Sequence, residues 1–422
     1  MHILVISSGD FFSTYGGGQV YVKNLVDEMI RQGREVTLLS YVDEKKDVVR
    51  KDYHGIDLYE VGQDASEADI SSTIQEIAPN VIHANGHKAQ ACRIGRELNI
   101  PVVVTAHHGG IVCPAGALLT AKDEICNTFV CARNCLKCVL RNTRGGTFFY
   151  PLLRLMPERW LLNFGRWLKR KSFLYFVTPI GSAVLHIDNK RREWQEIAKG
   201  CSRMIAPCHA IAEAMIRNGI KEKKIEIIPH GIPLPTTKTP SNDTFGYKKF
   251  YYVGRICYVK GIHVMLKAFH RLSDSDIELH IIGGAGNKGE ERYMKSLQKH
   301  YKADKRIIWH GKVPHQELDE MIANYDVLIH PTICLEIFGL NIAEALTIGK
   351  PVLATRCGGA EMQIEDGKNG WLVPPNDVQA LEEKLRTILD EKEILSFTPH
   401  VISITDHASE VINAYAQQKK ES

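Results

Sequence analysis

HPTICLEIFGLNIAEALTIGKPVLATRCGGAEMQIEDGKNGW, residues 330–371, is the stretch that decides the fold. It contains two carboxylates, Glu336 and Glu344, with a Phe338-Gly339 turn between them. A helical run follows the turn and leads into a short apolar strand and a Gly-Gly loop. A helix start presents free backbone N–H groups and a positive dipole to an anion. Two acids beside such an anion site are therefore better suited to holding hydroxyl groups of the molecule that carries the anion.

The bulk composition indicates a globular protein of two domains. The chain has 422 residues, of which 44% are hydrophobic and 24% charged, and this length exceeds one ordinary core. The net charge of +4 is too small to predict nucleic-acid binding. The first residues lack a basic leader, no uncharged run is long enough to span a membrane, and the eleven cysteines suit a reducing compartment. We therefore expect a cytoplasmic protein that does not bind nucleic acid.

Apolar strand patterns alternate with helical runs in both halves of the chain. They begin near residues 2, 35, 81, 102, 204 and 225, and again near 250, 277, 306, 327 and 352. Continuous apolar strands of this kind favour parallel sheets covered on both faces. The sequence therefore predicts an α/β protein with two doubly wound, Rossmann-like domains facing across a cleft, in which the ligand lies at the carboxyl ends of the strands.

The domain boundaries follow from composition. A stretch rich in Thr, Pro, Ser and Asn at 236–243 has the signature of a linker. We place the N-terminal domain at 1–233 and the C-terminal domain at 244–397. Residues 398–422 are assigned to a C-terminal helix.

Two cations follow the first strand of the second half. Arg255 and Lys260 lie on one strand-to-helix loop. A diphosphate is held by such a pair, because Arg offers a planar fork and Lys a point charge. Either cation alone would be interpreted as part of a solvated basic loop. The nearby helix start and the two acids downstream favour a diphosphate site.

These motifs together resemble those of the retaining nucleotide-sugar glycosyltransferases of the GT-B group, family 4. The resemblance covers nearly the whole chain. Its strongest parts are Gly254-Arg255-x4-Lys260-Gly261, Gly283-Gly284-x-Gly286, Glu336-x-Phe338-Gly339, Glu344-Ala345 and Gly358-Gly359-x-Glu361. It implies a GT-B fold, hexosyltransferase activity (EC 2.4) and a UDP- or GDP-sugar donor. In the family, a C-terminal helix crosses back to the first domain.

The resemblance also implies roles for the matching residues. Arg255 and Lys260 would hold the donor diphosphate, Glu336 the hydroxyls of the donor sugar, and Glu344 the ribose hydroxyls. Residues 311–313 would lie near the base. The predicted donor-binding set is Gly17, Gly18, Arg255, Lys260, Gly284, Val313, Glu336, Phe338, Gly339, Leu340 and Glu344.

The first half contributes two further candidates. Gly16 to Gly18 matches the family's N-terminal glycine loop, although a plain helix-start turn is the alternative. His107 ends a predicted strand and resembles the family's active-site histidine, which faces the donor sugar. His108 follows it where the family often has Asp. The predicted catalytic residues are Glu336, Arg255, Lys260 and His107.

The implied reaction moves a hexose or N-acetylhexosamine to a glycan, a lipid-linked or a small-molecule acceptor in the synthesis of cell-surface polysaccharide or glycoconjugate. Retention normally suggests double displacement through a carboxylate. The family pattern instead implies front-face transfer, in which the leaving diphosphate takes the acceptor proton and the cations stabilise its developing charge.

No cofactor or metal ion is expected for catalysis. Asp274-Ser275-Asp276 has the paired-aspartate pattern of a metal site, but it precedes a strand and is predicted to be a solvated turn. Two other function classes use the same fold. A nucleotide-sugar 2-epimerase would need acid/base carboxylates in the loops of the first domain. A non-catalytic sugar-nucleotide-binding subunit is disfavoured by the intact acids and cations of the second.

A cysteine insert at 113–138 departs from the minimal family pattern. Cys135 and Cys138 have the C-x-x-C spacing with which thiolates chelate one ion. Some family members carry a similar insert. By that match, Cys113, Cys126, Cys135 and Cys138 would form a closed, structural zinc site beside the cleft. The alternative is a set of cysteines without metal.

A basic amphipathic segment spans 141–192. It contains eleven Lys and Arg but only two Asp and Glu, a net charge of +9, with Leu, Phe and Trp between them. This composition is typical of an interfacial helix on anionic lipid, and equally of a core-facing helix with a solvated basic face. The first interpretation predicts association with the cytoplasmic face of a membrane and a lipid-linked acceptor.

Overall fold

A computed structural model of the chain describes residues 1–9, 11, 17–141, 143, 145–170, 178–234, 246–391, 395, 397–398 and 401–416. These residues form two compact units. The first contains the described parts of Met1–Ala121, Asn127–Pro233 and Ile402–Ser422, and the second contains those of Lys122–Cys126 and Leu234–Val401. Each unit is built on its own parallel sheet, so the prediction of an α/β protein with two such domains is confirmed.

The first unit has an eight-stranded sheet in the described part of the chain. Its strand order is β3-β4-β2-β1-β5-β6-β7-β8, and every pair is parallel except β3 with β4. The strands are β1 (His2–Ser7), β2 (Glu35–Tyr41), β3 (Val48–Tyr53), β4 (Ile56–Val61), β5 (Val81–Ala84), β6 (Val102–Thr105), β7 (Arg203–Ala206) and β8 (Ile225–Ile227).

Helices cover this sheet. They are α1 (Gly17–Arg31), α2 (Glu67–Ile77), α3 (Lys88–Glu97), α4 (Ala132–Arg141), α5 (Gly146–Leu153), α6 (Glu158–Arg170), α7 (Thr178–Gly200) and α8 (His209–Arg217), and, from the far end of the sequence, α14 (Ile404–Ala416). Strands β5, β6 and β7 are buried along their whole length, as expected for parallel strands with a helical layer on each face.

Helix α14 completes the core of the first unit. Val411 and Ile412 belong to the same buried cluster as Leu25 and Met29 of α1. Its backbone is also joined to the first unit, because the Ile232 N–H donates to the Ile402 carbonyl oxygen at 3.1 Å. The hydrophobic face of α14 therefore has its partner about 380 residues earlier in the sequence.

The second unit has a six-stranded, all-parallel sheet with the order β11-β10-β9-β12-β13-β14. The strands are β9 (Lys249–Val253), β10 (Glu278–Ile282), β11 (Ile307–Gly311), β12 (Val327–His330), β13 (Val352–Thr355) and β14 (Gly370–Val373). The helices are α9 (Ile262–His270), α10 (Lys288–His300), α11 (His315–Ala323), α12 (Leu340–Thr347) and α13 (Val378–Asp390). Chain order reverses beside β9, so the loops after β9 and β12 meet at a switch point.

Several sequence-based expectations need correction. The antiparallel pair β3–β4 was not predicted, because β3 is mostly exposed and neither strand has a continuous apolar run. Helix α1 begins at Gly17, so Gly17 and Gly18 form its first turn rather than a loop. Gly16 lies outside the described residues.

The basic segment at 141–192 is not one amphipathic helix. It contains α5, α6 and most of α7, and Arg144 and Lys171 lie outside the described residues. As predicted, Asp274 to Asp276 forms an exposed turn before β10. Within the described ranges, no helix combines the length and apolarity needed to cross a membrane.

Candidate functional site

The loop between β9 and α9 carries both predicted cations. The Tyr252 hydroxyl donates to the carbonyl oxygen of Arg255 at 2.8 Å. Gly261 has φ = 69°, and a Cβ added there would lie 1.9 Å from the Pro331 carbonyl oxygen. Only glycine fits this position, since both the backbone angle and the space exclude a side chain. The loop can therefore pass close to the end of β12 and bring Lys260 against it.

The Nζ atom of Lys260 forms an ion pair with the Oε2 atom of Glu336. The same oxygen lies 3.3 Å from His330 Nε2 and 3.4 Å from the Thr332 hydroxyl. The Lys260 and Glu336 side chains are only 25% and 15% exposed. Two residues at the end of β12 thus contact one carboxylate oxygen together with a cation from the β9 loop.

The pair is held in its charged form. Burial by itself would raise the pKa of the Glu336 carboxyl, but the Lys260 ammonium and the His330 ring hold that pKa well below its usual range. Burial likewise opposes the charge of Lys260, yet the neighbouring Glu336 carboxylate raises the pKa of the ammonium group. Any ligand of this site therefore meets a carboxylate and an ammonium, not a neutral acid and amine.

The backbone on either side of Glu336 is fixed by a second loop. The Glu336 N–H donates to the Cys357 carbonyl oxygen and the Gly359 N–H donates to the Glu336 carbonyl oxygen, both at 2.8 Å. Gln363 Nε2 donates to the carbonyl oxygen of Phe338 at 2.5 Å. These bonds fix the backbone at Glu336 and Phe338 in the absence of a ligand. Ligand binding therefore loses little conformational entropy in this loop.

Helix α12 begins directly after this loop. Gly339 adopts φ = 83°, and Leu340 is the first helical residue. Asn341 Nδ2 donates to the Val253 carbonyl oxygen at 2.9 Å, which joins the helix start to the end of β9. Glu344 lies half-buried one turn further along the same helix. The predicted residues from 336 to 344 are therefore placed along one loop and one helix start.

Glu344 is close to the hydroxyl of Tyr251. Burial raises the pKa of Tyr251, and the Glu344 carboxylate raises it further. The Tyr251 hydroxyl has no hydrogen-bond partner among the described residues. This buried polar atom beside Glu344 marks a point where the site is not yet satisfied by the protein itself.

Arg255 differs from Lys260 in being open to solvent. Its side chain is 58% exposed, and Nε lies 3.8 Å from Glu290 Oε1. The other oxygen of Glu290 accepts from the Gly286 N–H at 2.8 Å. The exposed Arg255 guanidinium therefore has a loose electrostatic contact with Glu290 and an interaction with the Cys257 side chain, and most of it is open to an anionic ligand.

A groove opens beside Arg255 in the second unit. Its lining includes Gly284, Asn287, Gln298, Trp309, Gly311 and Lys312. The Lys312 side chain crosses Gly284 so closely that a Cβ at this glycine would lie 2.9 Å from it. Val313, predicted near the base, packs against the hydrophobic core of the second unit. The groove offers an aromatic ring, amide groups and a cation next to the predicted diphosphate site.

The first unit places His107 beside the start of α1. A Cβ at Gly18 would lie 3.8 Å from that of His107, so these two predicted residues are neighbours. His107 Nε2 lies 2.7 Å from Asn85 Oδ1. Burial, with nearby Lys88 as the next cause, holds the pKa of His107 well below its usual range. The ring is therefore neutral, its Nε2–H donates to Asn85, and its Nδ1 is the acceptor.

Two buried polar atoms at this point lack partners in the described part of the chain. They are His107 Nδ1, an acceptor, and Asn85 Nδ2, a donor. Lys88 lies next to them, and its Nζ bonds the Asn85 carbonyl oxygen. Burial lowers the pKa of Lys88 to about 8. His108, in contrast, is exposed.

A network of neutral histidines lies behind His107. His83 Nε2 lies 2.7 Å from the Thr105 hydroxyl, and His83 Nδ1 lies 2.7 Å from the Tyr415 hydroxyl. His407 of α14 bonds the Tyr21 hydroxyl at 2.9 Å. Tyr21 in turn has its ring 5.0 Å from that of His107. Burial lowers the pKa of His83 to about 3 and that of His407 to about 4.

Several of these residues were missed by sequence reasoning. They are His330, Thr332, Glu290, Asn85 and Lys88. A signal was present for two of them, because His330 ends the buried strand β12 and Asn85 directly follows β5, and polar residues at such strand ends gather at one sheet edge. Nothing in the local sequence indicates that Glu290 would reach back to Arg255.

The cysteines of the insert are divided between the two units. Cys113 is buried in the first unit, Cys135 and Cys138 lie one turn apart on α4, and Cys126 belongs to the second. Among the described residues, no three or more His, Cys, Asp or Glu side chains gather closely enough to hold a metal ion. The zinc site stays a prediction, and no part of the function is derived from it.

Comparisons with known proteins define the family. A family model described as Glycosyltransferase Family 4 matches residues 15–235, and one described as Glycosyl transferases group 1 matches residues 237–396. The first alone matches more than half of the chain. The protein therefore belongs to glycosyltransferase family 4, which confirms the family predicted from the sequence.

Individual relatives match only part of their length. A D-inositol 3-phosphate glycosyltransferase of Corynebacterium urealyticum is 33% identical over 148 residues, which are 34% of this chain and 35% of that protein. The chain spans between about a third and a half of the length of the curated relatives it matches first.

Solved structures match over the whole chain. Sucrose-phosphate synthase from Thermosynechococcus elongatus has a TM-score of 0.69 at 17% identity, covering 100% of this chain and 99% of that one. Anabaena Alr3699/HepE in complex with UDP has a TM-score of 0.64 at 17% identity, with the same coverage. At this identity the likeness establishes the fold, which is GT-B.

Proposed function

We propose that the protein is a retaining glycosyltransferase that moves a hexose or N-acetylhexosamine from a UDP- or GDP-sugar to a hydroxyl of a glycan, a lipid-linked or a small-molecule acceptor. The observation that carries the proposal is the buried Lys260–Glu336 ion pair at the start of α12, with Arg255 on the same loop as Lys260. The pair offers a cation for phosphate and a carboxylate for hydroxyls side by side. UDP is bound in Alr3699/HepE, and this supports a nucleotide donor here.

Each part of the donor is assigned to a different group of the residues described above. Its diphosphate takes Lys260, Arg255 and the N–H groups at the start of α12. The sugar hydroxyls donate to Glu336, which the low pKa of its carboxyl keeps ionised. Glu344 accepts from the ribose hydroxyls, and the groove at Trp309 and Lys312 receives the base. His330 and Thr332 keep their contacts with the Glu336 carboxylate and hold it in place when Lys260 binds the diphosphate.

The chemistry is one of substitution on the front face of the sugar. The bond from the anomeric carbon to the diphosphate oxygen breaks, and the bond from that carbon to the acceptor oxygen forms on the same face. The leaving diphosphate takes the acceptor proton. Negative charge grows on the phosphate as the bond breaks, so the Lys260 ammonium stabilises the transition state more than the ground state. Glu336 holds the sugar and is not assigned the proton transfer.

The proposed setting is the cytoplasm, in the synthesis of cell-surface polysaccharide or glycoconjugate. Eleven cysteines suit a reducing compartment. The relatives of this chain include a protein described as a D-inositol 3-phosphate glycosyltransferase and one described as a putative colanic acid biosynthesis glycosyltransferase, and these names support an acceptor that is itself a sugar-like or polymer-bound alcohol.

A donor screen tests the proposal. The full chain is incubated with UDP-, GDP- and ADP-sugars, and released nucleotide is measured together with nucleotide binding by calorimetry. We expect one nucleotide class to bind and its sugar to be slowly hydrolysed. Glu336→Ala abolishes sugar release, whereas Lys267→Ala, a change of an exposed lysine on α9, leaves it unchanged.

Three results would overturn the proposal. The first is full activity of Glu336→Ala. The second is recovery of an epimerised donor with its nucleotide still attached, which would assign the chain to the 2-epimerases. Binding without any sugar release under all donors and acceptors tried would assign it to non-catalytic nucleotide-sugar-binding proteins.

A further inference from the structure

Five large apolar side chains project into solvent within twenty residues of the first unit. Their exposed fractions are 81% for Phe148, 65% for Leu152, 75% for Leu155, 68% for Trp160 and 47% for Trp167. We call this set the α5–α6 ridge. Two exposed tryptophans with three further apolar neighbours are unusual on a water-facing surface, where large apolar residues occur singly.

The ridge is exposed because α5 and α6 already have a buried face. Leu153, Leu161 and Leu162 pack into one hydrophobic cluster with α4 and α7, and Leu168 of α6 is also buried. Trp160 and Trp167 are seven residues apart, so they lie in one row on α6, away from this buried face. Among the described residues, the hydrophobic cluster of α4 to α7 thus forms without these five side chains, which leaves them available to a surface outside the unit.

A basic row runs beside the tryptophans. Arg159, Arg166 and Arg170 are exposed and recur at helical spacing on α6. Lys169 and Arg154 add two more exposed cations. The one acid in 146–170 is Glu158, whose carboxylate lies 2.9 Å from Arg191 of α7. The ridge surface is therefore strongly cationic as well as apolar.

The basic residues of α7 do not share this character. Asp188 is buried and bonds both Arg191 and Arg192, at 2.7 and 2.8 Å. Lys190 pairs with Glu193 at 2.7 Å. The charge excess of the wider segment is thus balanced on α7 and concentrated on α5 and α6.

We propose that the α5–α6 ridge docks the protein on an anionic phospholipid surface. Indole rings favour the boundary between headgroups and acyl chains, and arginines beside them meet the phosphates. The positive charge of the ridge complements the negative charge of the lipid. Its apolar side chains would insert among the lipids, which charged side chains alone would not do. This inference does not depend on the donor chemistry.

Flotation of the full chain with lipid vesicles tests the proposal. We expect binding to vesicles of phosphatidylcholine with phosphatidylglycerol, and little binding to phosphatidylcholine alone. Trp160→Ser with Trp167→Ser should lower the partition coefficient by about tenfold or more. Arg159→Gln with Arg166→Gln should lower it by a similar factor at low salt and less at high salt.

Control variants test whether vesicle binding depends on the ridge or on non-specific contacts of other exposed side chains. Val49→Ser and Ile216→Ser remove exposed apolar side chains elsewhere on the first unit, and Arg34→Gln removes an exposed cation. These should bind vesicles as the parent chain does. Circular dichroism and nucleotide binding should be unchanged in every variant, since none touches the candidate donor site.

Three outcomes overturn the proposal. The first is vesicle binding that does not depend on the phosphatidylglycerol content of the vesicles. The second is binding of the Trp160→Ser, Trp167→Ser variant to vesicles as strongly as the parent protein binds. The third is a dimer in light scattering that the tryptophan substitutions dissociate while vesicle binding is absent, because the ridge would then contact a second copy of the chain.

Discussion

The two units build their polar centres in opposite ways. The first gathers His83, His107 and His407, whose pKa values burial lowers until the rings are neutral. The second places Lys260 and Glu336 in contact, and each keeps the other ionised. A neutral ring can remain buried without a counter-charge, whereas a buried ion needs its partner. The comparison indicates that the second unit is suited to binding charge and the first to orienting hydroxyl groups.

Removing the cation of the second unit should have the largest effect. Lys260→Ala is expected to lower kcat by about 10²–10³-fold, since it deletes a group that stabilises charge developing in the transition state. Donor affinity should fall much less, because Arg255 and the helix start remain. Steady-state kinetics with calorimetric donor binding would measure both, and Lys267→Ala is the control. Equal losses in kcat and in affinity would contradict the assigned role.

As the pH is lowered, the first unit should lose stability at a higher pH than the second. The ordinary pKa of a histidine is near 6.5 and that of His407 is about 4, so the unfolded chain binds more protons between these values. The free energy of unfolding should therefore fall as the pH drops from 6.5 to 4, by about 3 kcal/mol for this residue. The Glu336 carboxyl, whose pKa is lowered, contributes stability that is lost only at still lower pH.

Urea unfolding between pH 7 and pH 4 measures this effect. His407→Gln, which cannot take up a proton, should be less stable at pH 7 but should lose less stability towards pH 4. The exposed His300 of the second unit provides the control, and His300→Gln should follow the parent slope. Parallel slopes for the parent and His407→Gln would show that His407 does not titrate in this range.

The smallest effect should come from the partner of His107. Asn85→Ala removes the acceptor of its Nε2–H and lets the ring turn, and kcat should fall about tenfold with little change in donor KM. Asn85→Asp keeps the acceptor but adds a charge, so it should raise the pKa of His107 and add an ionisation to the pH profile of kcat. Gln75→Ala, on the exposed side of α2, is the control.

An unchanged pH profile in Asn85→Asp would mean that Asn85 does not orient His107. A fall in kcat for Asn85→Ala that Asn85→Asp does not partly restore would point to a packing defect instead. Either result would weaken the contrast between the two polar centres.

The sequence predicted the second unit better than the first, and particular residues show why. Lys260, Glu336 and Gly339 lie on loops whose glycines and charges are close together in the sequence, so their pattern is local. The contact between Lys260 and Glu336 joins residues 76 positions apart, and only the sheet order brings β9 beside β12. The motifs could thus indicate both members of the pair but not that they would bind each other.

The histidine network could not be found in this way. His83, His407 and Tyr415 come from β5 and α14, more than 300 residues apart, and each alone resembles an ordinary buried residue. Their grouping depends on how α14 packs on the first sheet. The β3–β4 hairpin was missed for a different reason, because β3 is mostly exposed and neither strand has the continuous apolar run on which strand prediction depends here.

The position of α14 sets an order on folding during synthesis. The first unit buries Val411, Ile412 and Tyr415 in its own core, yet these residues leave the ribosome after the whole second unit has been made. Until then, the side of α1 that receives α14 is open to solvent, and the nascent first unit lacks part of its apolar core. The second unit ends at Val401, so all of its residues have been made before α14 emerges. Although it is made later, the second unit can therefore reach its final packing first.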